Sequence, residues 1–76
     1  MKKLGVVNNL SYKGDILVKA SFAPRMGEGV LDAAKRPLGR VIRVFGPARS
    51  PYVTVEPLDE PPLGLIGSDV YVEVET

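Results

Sequence analysis

Eight glycines and seven prolines are spread through the 76 residues so evenly that no stretch free of both runs beyond about nine residues. Each proline fixes φ and withholds a backbone N–H, and each glycine adds freedom that a helix must surrender, so long helices have nowhere to form. Strands of roughly five or six residues fit such gaps. The apolar pattern agrees, because it alternates with the period of a strand. Residues 15–21 set Ile16, Val18 and Ala20 against Leu17, Lys19 and Ser21. Residues 51–58 set Val53 and Val55 against Tyr52, Thr54 and Glu56, and residues 69–75 set Val70, Val72 and Val74 against Tyr71, Glu73 and Glu75.

Further strands are expected at residues 4–10, 30–32 and 37–45. Ser11-Tyr12-Lys13-Gly14-Asp15 is a turn signal that joins the first two strands as an antiparallel hairpin. Ala33 to Arg36 are expected to make one helical turn, which Pro37 stops. Residues 37–45 break strict alternation at Val41, Ile42, Val44 and Phe45, so either both faces are covered there or a bulge shifts the register. Gly39 is the place for a bend. Leu63, Leu65 and Ile66, in the loop before the last strand, either cap the barrel or add to an interface. Six short strands with no length left for a helical layer predict an all-β fold, a small six-stranded antiparallel split β-barrel, with residues 1–76 as a single domain.

Composition narrows the function. The chain has no cysteine and no histidine, which removes disulfides, thiolate chemistry, the usual zinc ligands and the commonest general base near neutral pH. Gly27-Glu28-Gly29 lacks the third glycine of a dinucleotide fingerprint, and no phosphate-loop lysine follows. Ser11, Ser21, Ser50 and Ser68 have no histidine to activate them, and Asp59 and Glu60 stand in a proline-rich loop with nothing to desolvate them. The reading is a non-enzyme with no metal, no cofactor and no small-molecule substrate. No apolar run approaches the roughly 20 residues of a membrane span, so a soluble, cytoplasmic protein is expected. The net charge of +1 hides two unlike halves. All ten Lys and Arg fall within residues 1–49 against three acids, giving +7, while residues 50–76 carry six acids and no base, giving −6. Such halves either neutralise each other within one barrel or leave a basic face for RNA or an acidic partner.

The stretch from Leu38 to Pro57 carries the functional reading. Gly46 permits positive φ, while Pro47 and Pro51 stiffen the connection between two β-rich runs, so the loop holds Phe45 and Tyr52 near one another. A stiff loop with two aromatics suits docking. Tyr52, out of phase with Val53 and Val55, is expected at an interface, and Phe45 is expected to plug the barrel. Arg40, Arg43 and Arg49, with Lys35 and Arg36 just before them, read as a cationic cluster able to pair phosphates beside the rings.

Leu4-Gly5-Val6-Val7, Gly14-Asp15-Ile16-Leu17-Val18 and Val30-Leu31-Asp32 lead into the more specific Gly39-Arg40-Val41, Val44-Phe45-Gly46-Pro47 and Pro51-Tyr52-Val53. On these motifs nearly the whole chain resembles the archaeal Gar-type family. That family provides the small β-barrel subunit of the H/ACA ribonucleoprotein, the particle that converts uridine to pseudouridine in RNA. The resemblance implies a non-catalytic subunit that binds the pseudouridine synthase catalytic subunit and promotes turnover and product release in rRNA pseudouridylation. It implies only indirect contact with the H/ACA guide RNA. It carries partner binding onto Val44, Phe45, Gly46, Pro47, Pro51, Tyr52 and Val53, and leaves RNA or electrostatic contact to Arg40, Arg43 and Arg49. Ala48 departs from the larger aliphatic residue usual after Phe-Gly-Pro, and the Gly/Arg-rich tails of eukaryotic relatives are absent, so nucleolar targeting does not transfer. The competing reading is a free-standing small barrel that binds RNA or serves ribosome maturation.

Overall fold

The structure, a computed structural model, describes residues 1–59 and 63–73, Leu63 by its backbone only. The strands are β1 (Lys2–Leu10), β2 (Ile16–Ala20), β3 (Gly29–Asp32), β4 (Pro37–Phe45), β5 (Tyr52–Pro57) and β6 (Asp69–Val72). A 3-10 turn at Leu63–Leu65 is the only helical element among the described residues. Every pairing is antiparallel, and the order β1-β2-β5-β4-β3-β6 returns to β1, so the six strands close into a barrel. Closure leaves no strand with an unpaired edge. Of the expected last strand, Val74 and Glu75 lie outside the described residues, as do residues 60–62 of the preceding loop.

The interior is filled by Leu4, Val7, Ile16, Val18, Ala20, Val30, Val41, Val53, Val55, Leu65, Val70 and Val72, and no polar side chain is buried among the described residues. The alternating positions of β2, β5 and β6 supply seven of these twelve, with the faces as the sequence pattern assigns them. Leu65, on the 3-10 turn, closes one end of the barrel, whereas Ile66 beside it is exposed. The β5–β6 connection is pinned to β1: Val7 N–H donates to the Ser68 carbonyl at 2.9 Å and Gly67 N–H to the Val7 carbonyl at 2.8 Å.

Four register shifts interrupt the pairings among the described residues, including those of β1 against β6, between Lys3 and Gly5, and of β3 against β4, between Val30 and Leu31. In β1 the register against β2 shifts between Val7 and Asn9, and in β4 the register against β5 shifts between Val41 and Arg43. The second settles the alternative left open for residues 37–45. Ile42 is the extra residue, and beyond it Val44 faces Val53 toward the interior while Arg43 and Phe45 face Thr54 and Tyr52 on the outside. A bulge changes which side of the sheet each later residue occupies.

Gly39 serves close approach. A Cβ at Gly39 would sit on the Glu56 carbonyl oxygen, with Glu56 C at 2.8 Å and Pro57 Cα at 2.9 Å. These atoms are backbone, so they cannot swing aside. Gly5 meets β2 in the same way, at the Lys19 carbonyl oxygen, with Ala20 Cα at 2.8 Å. Residues 33–36 do not form the expected helical turn. They are the tight turn of the β3–β4 hairpin, in which the Asp32 carboxylate accepts the Ala34 and Arg36 N–H groups, each at 2.9 Å, and Lys35 takes a φ of 67°. The Asp32 N–H also donates to the Arg36 carbonyl at 3.0 Å, which closes a hairpin and not a helix. The Arg36 N–H is the chief reason that the Asp32 carboxyl titrates below its ordinary 3.8, helped by Ala34 N–H and the Arg36 charge and opposed by partial desolvation.

Two predictions follow from this frame. Gly39→Ala should cost on the order of 1–3 kcal/mol or more in denaturant unfolding, as overpacking against fixed atoms does. Gly29→Ala, where an added Cβ meets nothing within 4 Å, should be near neutral; equal costs at the two sites would contradict the close-approach argument. For Asp32 the folded pKa lies below the unfolded one, so its contribution is fully present above the ordinary carboxylate value and is lost as pH falls through the lowered folded value. Thermal melts of Asp32→Ala should therefore show a shallower acid loss below about pH 4 than those of the parent protein. Parallel curves would remove the turn carboxylate from the stability account.

Candidate functional site

The loop from Gly46 to Pro51 joins β4 to β5 and is held from both sides. Gly46 has a φ of 93°, a left-handed conformation that a side chain would strain, and Tyr52 Cδ2 lies 3.4 Å from where its Cβ would be. Ser50 N–H donates to the Pro47 carbonyl at 3.2 Å, and the loop then turns back against β2. There Ala20 N–H donates to the Pro51 carbonyl at 2.9 Å and the Ser50 hydroxyl to the Ala20 carbonyl at 3.4 Å. The two prolines differ: Pro51 is buried and Pro47 is exposed.

At the mouth of this loop Phe45 and Tyr52 are cross-strand neighbours whose rings stack, with centroids 5.7 Å apart and planes 24° from parallel. Phe45 does not plug the barrel. It is 39% exposed, because the bulge at Ile42 turns it outward and the interior is already filled by aliphatic side chains. Tyr52 is half-buried beneath it. The Arg43 guanidinium lies over the Phe45 ring, 5.0 Å from its centre, a cation–π arrangement. The rings, Arg43, Gly46 and Pro47 thus form one outward-facing corner.

The remaining residues assigned to docking support this corner from inside. Val53 has no exposed surface and belongs to the core, and Val44 packs partly against it. Their part is to fix the backbone that carries Phe45 and Tyr52. The expected cationic cluster is divided. Arg40 is engaged by Glu56, its opposite number on β5, with Nη2 3.2 Å and Nε 3.3 Å from Oε1. Lys35 and Arg36 occupy the β3–β4 turn at the far end of β4 from Phe45, where Arg36 pairs with Asp32 at 3.3 Å. Of the cluster only Arg43 lies against a ring, whereas Arg49 borders Ser50 and β2, and neither has a carboxylate partner among the described residues.

The barrel adds residues that the linear pattern did not single out. β2 lies between β1 and β5, so Lys19 is the neighbour of Tyr52 on one side and of Val6 on the other. Outer positions across β1, β2, β5 and β4 form the row Val6, Lys19, Tyr52 and Phe45, followed by Leu17, Thr54 and Arg43. The only sequence signal for Lys19 is its phase opposite Ile16, Val18 and Ala20. The corner holds no arrangement for acid–base or nucleophilic chemistry, and no group of three metal-ligating side chains occurs among the described residues. No helix among them is long and apolar enough to cross a membrane.

No protein-family model matches the chain. It is 33% identical over 57 residues to an uncharacterized protein of the archaeon Methanothermobacter thermautotrophicus, a match that covers 75% of this chain and 62% of that protein. The chain therefore spans less than two thirds of the length of that relative.

Proposed function

We propose that this barrel is the Gar-type subunit of an archaeal H/ACA ribonucleoprotein, a cytoplasmic, non-catalytic protein that docks on the pseudouridine synthase catalytic subunit through its β4–β5 corner. The observation that carries this reading is the Phe45–Tyr52 stack held outside a filled barrel by a loop with little freedom left. Aromatic side chains that are exposed yet immobilised bury a large area at little entropic cost, which is the composition of an interface hot spot. Phe45, Gly46, Pro47 and Tyr52 offer the contact surface. Val44, Pro51 and Val53 hold it in shape from behind. The motifs that run from Gly39 to Val53 support the choice of partner.

In this role the subunit raises turnover by biasing the mobile, substrate-gripping part of its partner toward product release. Titration calorimetry against an archaeal pseudouridine synthase catalytic subunit tests the docking step. Phe45→Ala combined with Tyr52→Ala should weaken association by about 30-fold or more, the size of a loss of 2 kcal/mol at a hot spot. Leu58→Ala removes an exposed apolar side chain beyond the opposite end of β5 and should leave affinity unchanged. Full affinity in the aromatic double variant, with its barrel still folded by circular dichroism, would overturn the assignment of this corner.

A further inference from the structure

We propose that Arg43 sets the charge of the surface that docks on the aromatic corner: the synthase catalytic subunit presents an aspartate or glutamate there, and the Arg43 guanidinium holds it. The inference rests on the docking reading of the Phe45–Tyr52 corner and names the group that meets it. Arg43 is exposed, with its guanidinium 5.0 Å from the centre of the Phe45 ring. Among the described residues that guanidinium has neither a carboxylate partner nor a hydrogen bond. Arg40, three residues earlier on β4, is satisfied within the chain, because it opposes Glu56 and gives Nε and Nη2 to its carboxylate. Arg43 opposes Thr54. Across the sheet its row runs through Thr54 and Leu17 to Asn9 and contains no acid. The same four residues line a shallow depression that reaches the β1–β2 turn, where Asp15 is offset in charge by Lys13.

Phe45 cannot be covered without Arg43. A protein surface laid on the ring removes water from a cation 5.0 Å from its centre, and arginine does not escape by losing its proton. A desolvated charge is costly unless it is paired and its donors are satisfied. The barrel brings no acid to that place, so the acid comes from the surface that covers it. A neutral carbonyl would satisfy the donors and leave the charge uncompensated. The planar guanidinium takes a carboxylate through two parallel N–H bonds, a geometry that an ammonium cannot reproduce. Its contact with the Phe45 ring restricts the side chain before the partner arrives, which lowers the entropy lost on pairing. The arginine and the aromatic pair thus act as one anchor, apolar in the rings and selective in the cation.

Biolayer interferometry against an immobilised, RNA-free archaeal synthase catalytic subunit tests this pairing. Arg43→Gln keeps hydrogen-bond donors and removes the charge, and it should raise the dissociation rate by about 30-fold or more, as loss of one member of a covered charge pair does. Arg43→Lys keeps the charge without the fork and should fall between the two. Lys35→Gln removes the same charge from the β3–β4 turn and should dissociate like the parent protein. Parent-like dissociation of Arg43→Gln would overturn the pairing. So would a loss confined to the association rate and matched by Lys35→Gln, because long-range attraction then accounts for it. Phe45→Ala combined with Tyr52→Ala separates this failure from that of the docking reading. If that variant dissociates fast while Arg43→Gln does not, the corner docks without a carboxylate; if both keep the parent rate, the corner is not the docking surface at all.

Discussion

The interior of this barrel is filled by aliphatic side chains alone. Barrel width grows with strand number, and six strands enclose a narrower space than the eight that just hold a filled core. Ten side chains, all Leu, Ile or Val, fill that space with less than 2% of their surface exposed. With no aromatic group and no buried polar side chain among them, directional interactions do not specify the interior; close packing does. The strands must then approach closely enough to seal it, which is what Gly5 and Gly39 permit. No aromatic ring is among these fully buried side chains: Phe22 packs against the core only partly buried, and Phe45 and Tyr52 lie on the outer surface.

The same constraint explains which parts of the fold the linear pattern reveals. In β2, β5 and β6 alternation runs unbroken, and Ile16, Val18, Val53, Val55, Val70 and Val72 all lie on the face their phase assigns. In β4 the phase misleads, since continuing alternation from Val41 would place Arg43 and Phe45 inside. One residue of bulge at Ile42 reverses both, and no local feature of the sequence fixes where that residue falls. The turn at residues 33–36 escapes for a similar reason: Ala33 and Ala34 favour a helix, but the Asp32 carboxylate captures two N–H groups and closes a hairpin instead. Strand order is the largest omission. The pairings β2 with β5 and β3 with β6 join segments far apart in sequence, so the placement of Lys19 beside Tyr52 is a property of the closed barrel alone.

Charge follows the same geometry. The basic first part and the acidic second part of the chain meet across the sheet, in the pairs Lys3 with Asp69 and Arg40 with Glu56. Both are exposed, and such pairs stabilise by no more than about 1 kcal/mol each. Their larger effect is on what remains. They neutralise Asp69 and Glu56 and leave Lys19, Arg43 and Arg49 without a carboxylate partner among the described residues. The Phe45–Tyr52 corner, with Arg43 against it, is the basis of the proposed docking role.

The most direct test of that role is the rate of pseudouridine formation by an archaeal synthase particle with and without this barrel, measured under both single-turnover and multiple-turnover conditions. A subunit that promotes product release should raise the multiple-turnover rate and leave the single-turnover rate unchanged. An effect confined to the single turnover, or no effect when the barrel is bound, would contradict it.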